Sequence, residues 1–187
     1  MRKLVSTLVL AGLAAGSAAA QEAQSAYTDV DFAQCTLITS DEMGGTFACP
    51  GYKGIPVMIG EGDLRMFVSF GLTSTTEPAA QQTLPPFNHL GPKIEWRLRP
   101  DDEGTLVPFA TILRWYTQRE EGDGEGQVLV VTQLKPGATC HIAYVDALAN
   151  KDANEKARQA ADELAGDFAC GDRMPQVIGA FEAFELE

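Results

Sequence analysis

The segment Lys93-Ile-Glu-Trp-Arg-Leu-Arg99 alternates apolar and charged residues along its whole length. Successive side chains of a β-strand point to opposite faces, so this pattern predicts a strand that buries Ile94, Trp96 and Leu98 and turns its charged residues the other way. No other segment of the chain carries so clear a structural signal. We therefore expect a fold built around an antiparallel β-sheet.

Apolar and β-branched runs separated by turn-forming residues predict further strands on both sides of this segment. They lie at residues 35–38, 46–49, 55–59, 64–70, 109–117, 127–134 and 139–145, whereas residues 177–184 are ambiguous between a strand and a helical turn. A short helix is predicted from Pro78, and an amphipathic helix is predicted over residues 152–165, where alanines recur at helical spacing before Gly166. The predicted fold is an α+β domain with a meandering antiparallel sheet of about six to eight strands and these two helices packed on it.

Residues 1–20 have the layout of a secretory signal peptide. Arg2 and Lys3 precede an apolar run over residues 4–15, and Ala18 and Ala20 form a small-residue cleavage site. We therefore expect export to the periplasm or the medium. The mature chain is then predicted to have a flexible amino-terminal arm at residues 21–31 and a single disulfide-stapled domain at residues 32–187.

The chain has four cysteines, Cys35, Cys49, Cys140 and Cys170, which allow three disulfide pairings. Export makes disulfides the expected state. We favour Cys35 with Cys49 and Cys140 with Cys170, because each pair closes a local loop between neighbouring elements, and each is worth roughly 3–4 kcal/mol in the chain-entropy model. The cysteines show no C-x-x-C spacing and do not combine with the histidines in the spacings of a zinc site. No metal and no cofactor is expected.

Acidic residues dominate the charge of the chain. The net charge is −12, and removal of Arg2 and Lys3 with the leader leaves 12 basic against 26 acidic residues, a net charge of −14. Such a chain repels phosphate backbones, so nucleic acid is not an expected partner. No segment after the leader approaches the roughly 20 apolar residues that span a bilayer, and we expect a soluble monomer without membrane insertion.

The candidate ligand-binding residues are basic. Lys93, Arg97 and Arg99 share one face of the predicted strand, and Arg65 and Arg114 are placed to join them from neighbouring strands. Such a row can grip a carboxylate, a sulfate or an acidic partner. The alternative is that local acids pair with it across the strands. Arg114 lies inside an apolar run and is predicted to be a core ion pair or the floor of a pocket.

Two further segments are candidates for binding. His89 lies in the proline-rich segment 85–92, which we interpret as a stiff loop at the lip of a cleft, or as a turn without function. The acidic loop at residues 121–126 resembles the start of a calcium-binding loop, but the twelfth position is Thr132 within a predicted strand, so a solvated hairpin tip is the preferred interpretation.

No catalytic motif stands out in this sequence. The preferred hypothesis is an exported, non-enzymatic binding module for a protein partner or a component of the cell envelope. The alternative is a small carboxylate-dependent hydrolase or lyase with a cleft near the His89 loop. A third interpretation, a purely structural envelope protein, requires neither a groove nor a catalytic pair.

Overall fold

The computed structural model describes residues 22–119 and 124–179. The predicted signal peptide and the first half of the acidic loop, residues 121–123, lie outside these ranges. In the described ranges the chain forms ten strands. In chain order these are β1 (Gln24–Asp29), β2 (Thr36–Ser40), β3 (Gly44–Pro50), β4 (Pro56–Gly62), β5 (Arg65–Phe70), β6 (Asn88–Pro100), β7 (Leu106–Gln118), β8 (Glu125–Gln133), β9 (Cys140–Asp146) and β10 (Gln176–Ile178).

The strands form two sheets. One sheet has six strands in the order β1-β6-β7-β8-β9-β10, and the other has four strands in the order β2-β3-β4-β5. Every pair of neighbours is antiparallel except β9 and β10, which are parallel. One α-helix, α1 (Ala153–Leu164), connects β9 to the segment that leads into β10, and the structure also has short 3-10 helices at Phe32–Gln34, Tyr52–Gly54 and Pro78–Gln81.

The larger core lies between the two sheets. It contains the apolar residues of β6 identified from the alternation, Ile94, Trp96 and Leu98, with Leu113 and Trp115 of β7. Apolar residues of β3, β4 and β5 cover them from the four-stranded sheet. Both tryptophans are buried, as expected for indole rings at alternating strand positions.

A second core lies between α1 and the other face of the six-stranded sheet. It combines Ala110 and Ile112 of β7 with four alanines of the helix, Ala153, Ala157, Ala160 and Ala161. Because alanine side chains are short, the helix axis comes close to the sheet. The fold therefore has three layers, with the six-stranded sheet in the middle.

The predicted fold class is confirmed: the structure is mostly antiparallel sheet, with one α-helix near the carboxyl end. Both predicted disulfides are present, Cys35 to Cys49 and Cys140 to Cys170. The second disulfide joins the start of β9 to the segment after α1, and it holds that side of the helix layer on the sheet. The second predicted helix is a single 3-10 turn, Pro78–Gln81, that ends before the proline pair at residues 85–86.

The amino-terminal segment differs from the prediction of a flexible arm. Gln24–Asp29 forms the edge strand β1, and its six residues pair with Leu98 through Lys93 of β6. The mixed polarity of this segment suggested a loop, but one side of β1 is covered by its neighbours while the other side is exposed. An edge strand of this kind needs few apolar residues because its partner supplies the hydrogen bonds.

Within the described residues, no helix is long and apolar enough to cross a membrane.

Candidate functional site

An open cavity of about 430 Å³ lies where the first residues of β5, β6 and β8 meet the last residues of β7. We call it the groove. It is lined by Glu61, Leu64, Met66, Phe87, Asn88, His89, Tyr116, Gln118, Gly124 and Glu125. Its volume falls within the range of about 300–1,000 Å³ that is usual for ligand pockets.

One wall of the groove is the tight turn between β4 and β5. Gly62 pairs with Arg65, so the turn consists only of Asp63 and Leu64. Both residues have positive φ, 50° and 59°, as a two-residue turn of this hairpin type requires. The Leu64 side chain lies on the surface and is 61% exposed. The sequence pattern predicts the hairpin loop at residues 60–63 and assigns Leu64 to the following strand, whereas the structure places Leu64 in the turn itself.

Asn88 holds the next wall in place. Its side-chain oxygen accepts a hydrogen bond from the backbone N–H of Met66 at 2.9 Å, and its amide nitrogen donates to the carbonyls of Pro86 and Leu84 at 2.8 and 3.1 Å. Asn88 is itself buried. These bonds occupy polar groups that the edge strand β5 would otherwise leave free, and they fix the segment that carries Phe87 and His89.

His89 stands on the surface of the groove beside an aromatic ring. It pairs with Tyr116 in the register of β6 and β7, and the two rings stack with centroids 4.9 Å apart and an interplanar angle of 16°. Nε2 of His89 lies 2.8 Å from Oε1 of Glu125. His89 lines the groove, but it lies at the start of β6 and not in an irregular loop as predicted.

Arg65 lies at the margin of the groove. Its guanidinium carbon is 5.2 Å from the centroid of the Phe87 ring, Nε donates to the carbonyl of Pro85 at 2.8 Å, and Nη1 contacts Asp63 at 2.6 Å. Of the predicted ligand-binding residues, only Arg65 and His89 are therefore close to this cavity. Among the described residues, the groove lining contains two carboxylates, Glu61 and Glu125, and neither lysine nor arginine.

Arg97 of the predicted cationic row is not exposed. It is 6% exposed, because α1 covers the face of β6 on which the charged residues of the alternating pattern lie. Its Nε and Nη2 donate to the carboxylate of Asp162 on α1 at 3.0 and 2.6 Å, and Nη1 donates to the hydroxyl of Ser25 at 2.6 Å. Arg97 therefore joins β1, β6 and the helix.

Glu95 completes this contact between sheet and helix. It is buried next to Arg97, accepts a hydrogen bond from Ser25, and pairs with Nε of Arg158 on α1 at 2.7 Å. This contact raises the pKa of Arg158 above its ordinary value, chiefly through the hydrogen bond that Arg158 donates to the carboxylate of Glu95. Pairing of the cations with local acids was the alternative left open by the sequence, and these contacts are of that kind.

The other three predicted cations are separate from one another. Arg99 lies over the ring of Phe109 at 4.0 Å and donates to the carbonyl of Asp162 at 3.1 Å. Lys93 pairs with Asp29 of β1 at the surface. Arg114 is half-buried and donates to the side-chain oxygens of Gln127 and Asn154 at 2.9 and 3.4 Å, so it is neither a core ion pair nor the floor of the groove.

His141 lies in the core and not in a cleft. A bulge in the pairing of β8 and β9 turns Ile142 and Ala143 both toward α1, so that His141 and Tyr144 share the face that meets the other sheet. Nδ1 of His141 is 3.0 Å from the Tyr144 hydroxyl. Burial lowers the pKa of His141 to about 3 and raises the pKa of Tyr144. His141 is thus a neutral core residue that no ligand reaches.

No three His, Cys, Asp or Glu side chains of residues 22–119 and 124–179 converge on a point where they could hold a metal ion.

Comparison with protein-family models, with curated proteins and with solved structures found no match to this chain. The function is therefore inferred from the groove itself.

Most of the groove has no signature in the sequence. Glu61, Leu64, Phe87 and Tyr116 belong to no motif. The available signal was local: His89 and Phe87 flank Asn88 in a segment rich in proline, which indicates a fixed and exposed stretch.

Proposed function

We propose that this protein is an exported, non-enzymatic binding module that takes its ligand in the groove beside His89. The proposed partner is a protein or a component of the cell envelope. The observation that carries the proposal is the open cavity itself, since its lining combines exposed apolar and aromatic surface with a few fixed polar groups, as ligand sites usually do.

Export is part of the same proposal. The amino-terminal pattern supports it, and the two disulfides are compatible with an oxidising compartment. Each staple also reduces the need for a large core in a chain that folds outside the cytosol. A rigid sandwich held in this way presents its strand ends as a fixed binding surface.

One observation favours a second candidate function, a small hydrolase. It is the contact between His89 and Glu125. A carboxylate 2.8 Å from an imidazole nitrogen can orient the ring and support general base catalysis, and Glu61 lines the same cavity. Both side chains are exposed, however, His89 at 58% and Glu125 at 55%, whereas electrostatic catalysis is strongest in a site that excludes water. This arrangement favours binding over catalysis.

The test is affinity capture from an envelope extract with the mature protein as bait. Two groove variants, Phe87→Ala and His89→Ala, are compared with wild type and with a control variant, Lys93→Ala with Arg99→Ala, which changes the cations outside the groove. We expect the captured ligand, identified by mass spectrometry, to be lost with the groove variants and kept with the control.

The opposite pattern, loss only with the Lys93 and Arg99 variant, would move the binding site away from the groove to the surface that carries these two residues. The captured ligand is then incubated with wild-type protein. A change in its mass that His89→Ala abolishes would show hydrolysis and replace the binding module by the second candidate.

A further inference from the structure

We infer that the groove binds a basic side chain of a partner polypeptide together with an apolar side chain next to it. This inference rests on the proposed function and specifies its ligand. It is carried by two independent features of the groove, the sign of its charge and the backbone conformation of Leu64.

The charge of the groove favours a cation. Glu61 and Glu125 line it, and the described lining residues include neither lysine nor arginine. Arg65, at the margin, contacts Asp63, the carbonyl of Pro85 and the ring of Phe87 rather than either of these glutamates. His89 contacts one oxygen of Glu125. An ammonium or guanidinium group that enters here meets carboxylates and the negative face of an aromatic ring.

The same charge argues against a second copy of this chain as the occupant. The full chain carries a net charge of −12, so two copies repel each other as they approach. A basic segment of a different polypeptide is attracted by the same field. The cavity of about 430 Å³ has the size of a small ligand, so it accommodates a few side chains of such a segment and not a large interface.

Leu64 indicates that the ligand also carries an apolar side chain. An aliphatic residue with a φ of 59° is unusual, because its Cβ is crowded in this conformation and glycine avoids that cost. Asp-Gly would form the same two-residue turn with less strain. The leucine side chain adds no buried contact in return, since it lies mostly in solvent at the edge of the groove. A strained and exposed apolar residue at a cavity is accounted for when it contacts a ligand.

The experiment uses three matched tripeptides as probes. Acetyl-Phe-Lys-Phe-amide carries both proposed features, acetyl-Phe-Glu-Phe-amide reverses the charge, and acetyl-Ser-Lys-Ser-amide removes the apolar flanks. Each is titrated into the 15N-labelled mature protein at low ionic strength. We expect the first peptide to shift the amide signals of residues 64–66, 87–89 and 116–118 and to bind at least fivefold more tightly than either of the others.

Leu64→Gly separates ligand contact from structure. We expect this variant to melt about 2–4 °C higher than wild type, because the strain is relieved, and to bind acetyl-Phe-Lys-Phe-amide at least fivefold more weakly. Lys53→Gly is the control for the backbone, since Lys53 has a φ of 48° far from the groove lining. Leu72→Ala is the control for loss of a surface leucine, which is 93% exposed. Both controls should keep the affinity of wild type.

Four results would overturn the inference. If all three peptides bind in the groove equally well, the ligand class is wrong while the groove remains a binding site. If none binds, or if Leu64→Gly binds as tightly as wild type, the basic and apolar ligand is rejected, and the capture experiment above decides separately on the groove. If shifts occur only outside the groove, both proposals fail.

Discussion

Arg97 shows how burial changes the role of a single residue. Its guanidinium is removed from water and depends on Asp162 and Ser25 for compensation. A buried ion pair adds little net stability compared with apolar residues, but removal of one partner leaves the other charge in a poorly solvated place.

Arg97→Met should therefore lower the free energy of unfolding by about 3 kcal/mol. Lys93→Met is the matched control, because Lys93 and Asp29 form a surface pair with side chains 56% and 70% exposed, and such pairs contribute less than about 1 kcal/mol. Urea denaturation of both variants at neutral pH measures the difference. Equal losses in the two variants would contradict the structural role of Arg97.

His141 makes stability depend on pH. Its pKa is lowered to about 3 by burial in the folded protein, against 6.5 for an ordinary histidine. Between these values the unfolded chain binds a proton that the folded chain does not, so stability is complete above pH 6.5 and decreases as the pH falls. The free energy of unfolding should fall with a slope that approaches about 1.4 kcal/mol per pH unit.

The measurement is urea denaturation at several pH values from 7.5 down to about 5, above the range where ordinary carboxylates titrate. His141→Phe should remove most of the slope, since phenylalanine fills a similar volume and does not titrate. A slope that survives in His141→Phe would assign the pH dependence to other groups.

At the level of elements, the buried alanines of α1 allow the helix to pack closely on the six-stranded sheet. Ala157 and Ala161 have no solvent-exposed surface, and they pack against β-branched and aliphatic residues of the sheet. The close approach that they allow also brings Asp162 and Arg158 within reach of Arg97 and Glu95. Helix packing and the buried ion pairs are thus parts of one arrangement.

Ala161→Leu should destabilise the protein by about 1–3 kcal/mol, because the larger side chain forces the helix away from the sheet. Gln159→Leu places the same side chain on the exposed face of α1 and should change stability by less than about 0.5 kcal/mol. Thermal unfolding followed by circular dichroism compares the two. If Ala161→Leu is tolerated as well as Gln159→Leu, the helix is not closely packed.

Side chains in the connection between β5 and β6 form hydrogen bonds to the backbone of both sheets. Asn88 and Thr83 bond to the backbone of Met66 and so cover part of the β5 edge. Glu77 performs a related task elsewhere, since its buried carboxylate accepts hydrogen bonds from the N–H groups of Gly137 and Thr139 in the turn before β9. Burial alone would raise the pKa of Glu77, but these bonds and one from Thr73 lower it. The connection between β5 and β6 is therefore tied to both sheets.

For the whole molecule, the prediction concerns export. If residues 1–20 are removed, the mature chain begins at Gln21 and carries the net charge of −14 derived above. Intact mass and amino-terminal sequencing of protein recovered from outside the cytosol should show this start. Protein that retains Met1 and stays in the cytosol would contradict the export proposal.

The three-layer arrangement explains why the row of cations, which the sequence predicts at the surface, is partly buried. Alternation along β6 identifies two faces, but it does not say that a helix more than 50 residues later covers one of them. The charged face therefore became an interface in which acids of β6 and α1 compensate the arginines. Lys93, which pairs with Asp29 of β1, remained at the surface.

Local patterns in the sequence were sufficient to predict most of the strands, the helix and the disulfide pairs, because strand alternation, alanine spacing and short loops act between residues close in the chain. They did not predict the edge strand β1, whose partner β6 lies more than 60 residues away. The groove could not be found in this way. It joins residues 61–66, 87–89, 116–118 and 124–125, which come together only because β4 to β8 belong to two sheets that pack face to face. Which distant segments become neighbours depends on sheet pairing and layer packing, and these are long-range interactions that no single stretch of sequence contains.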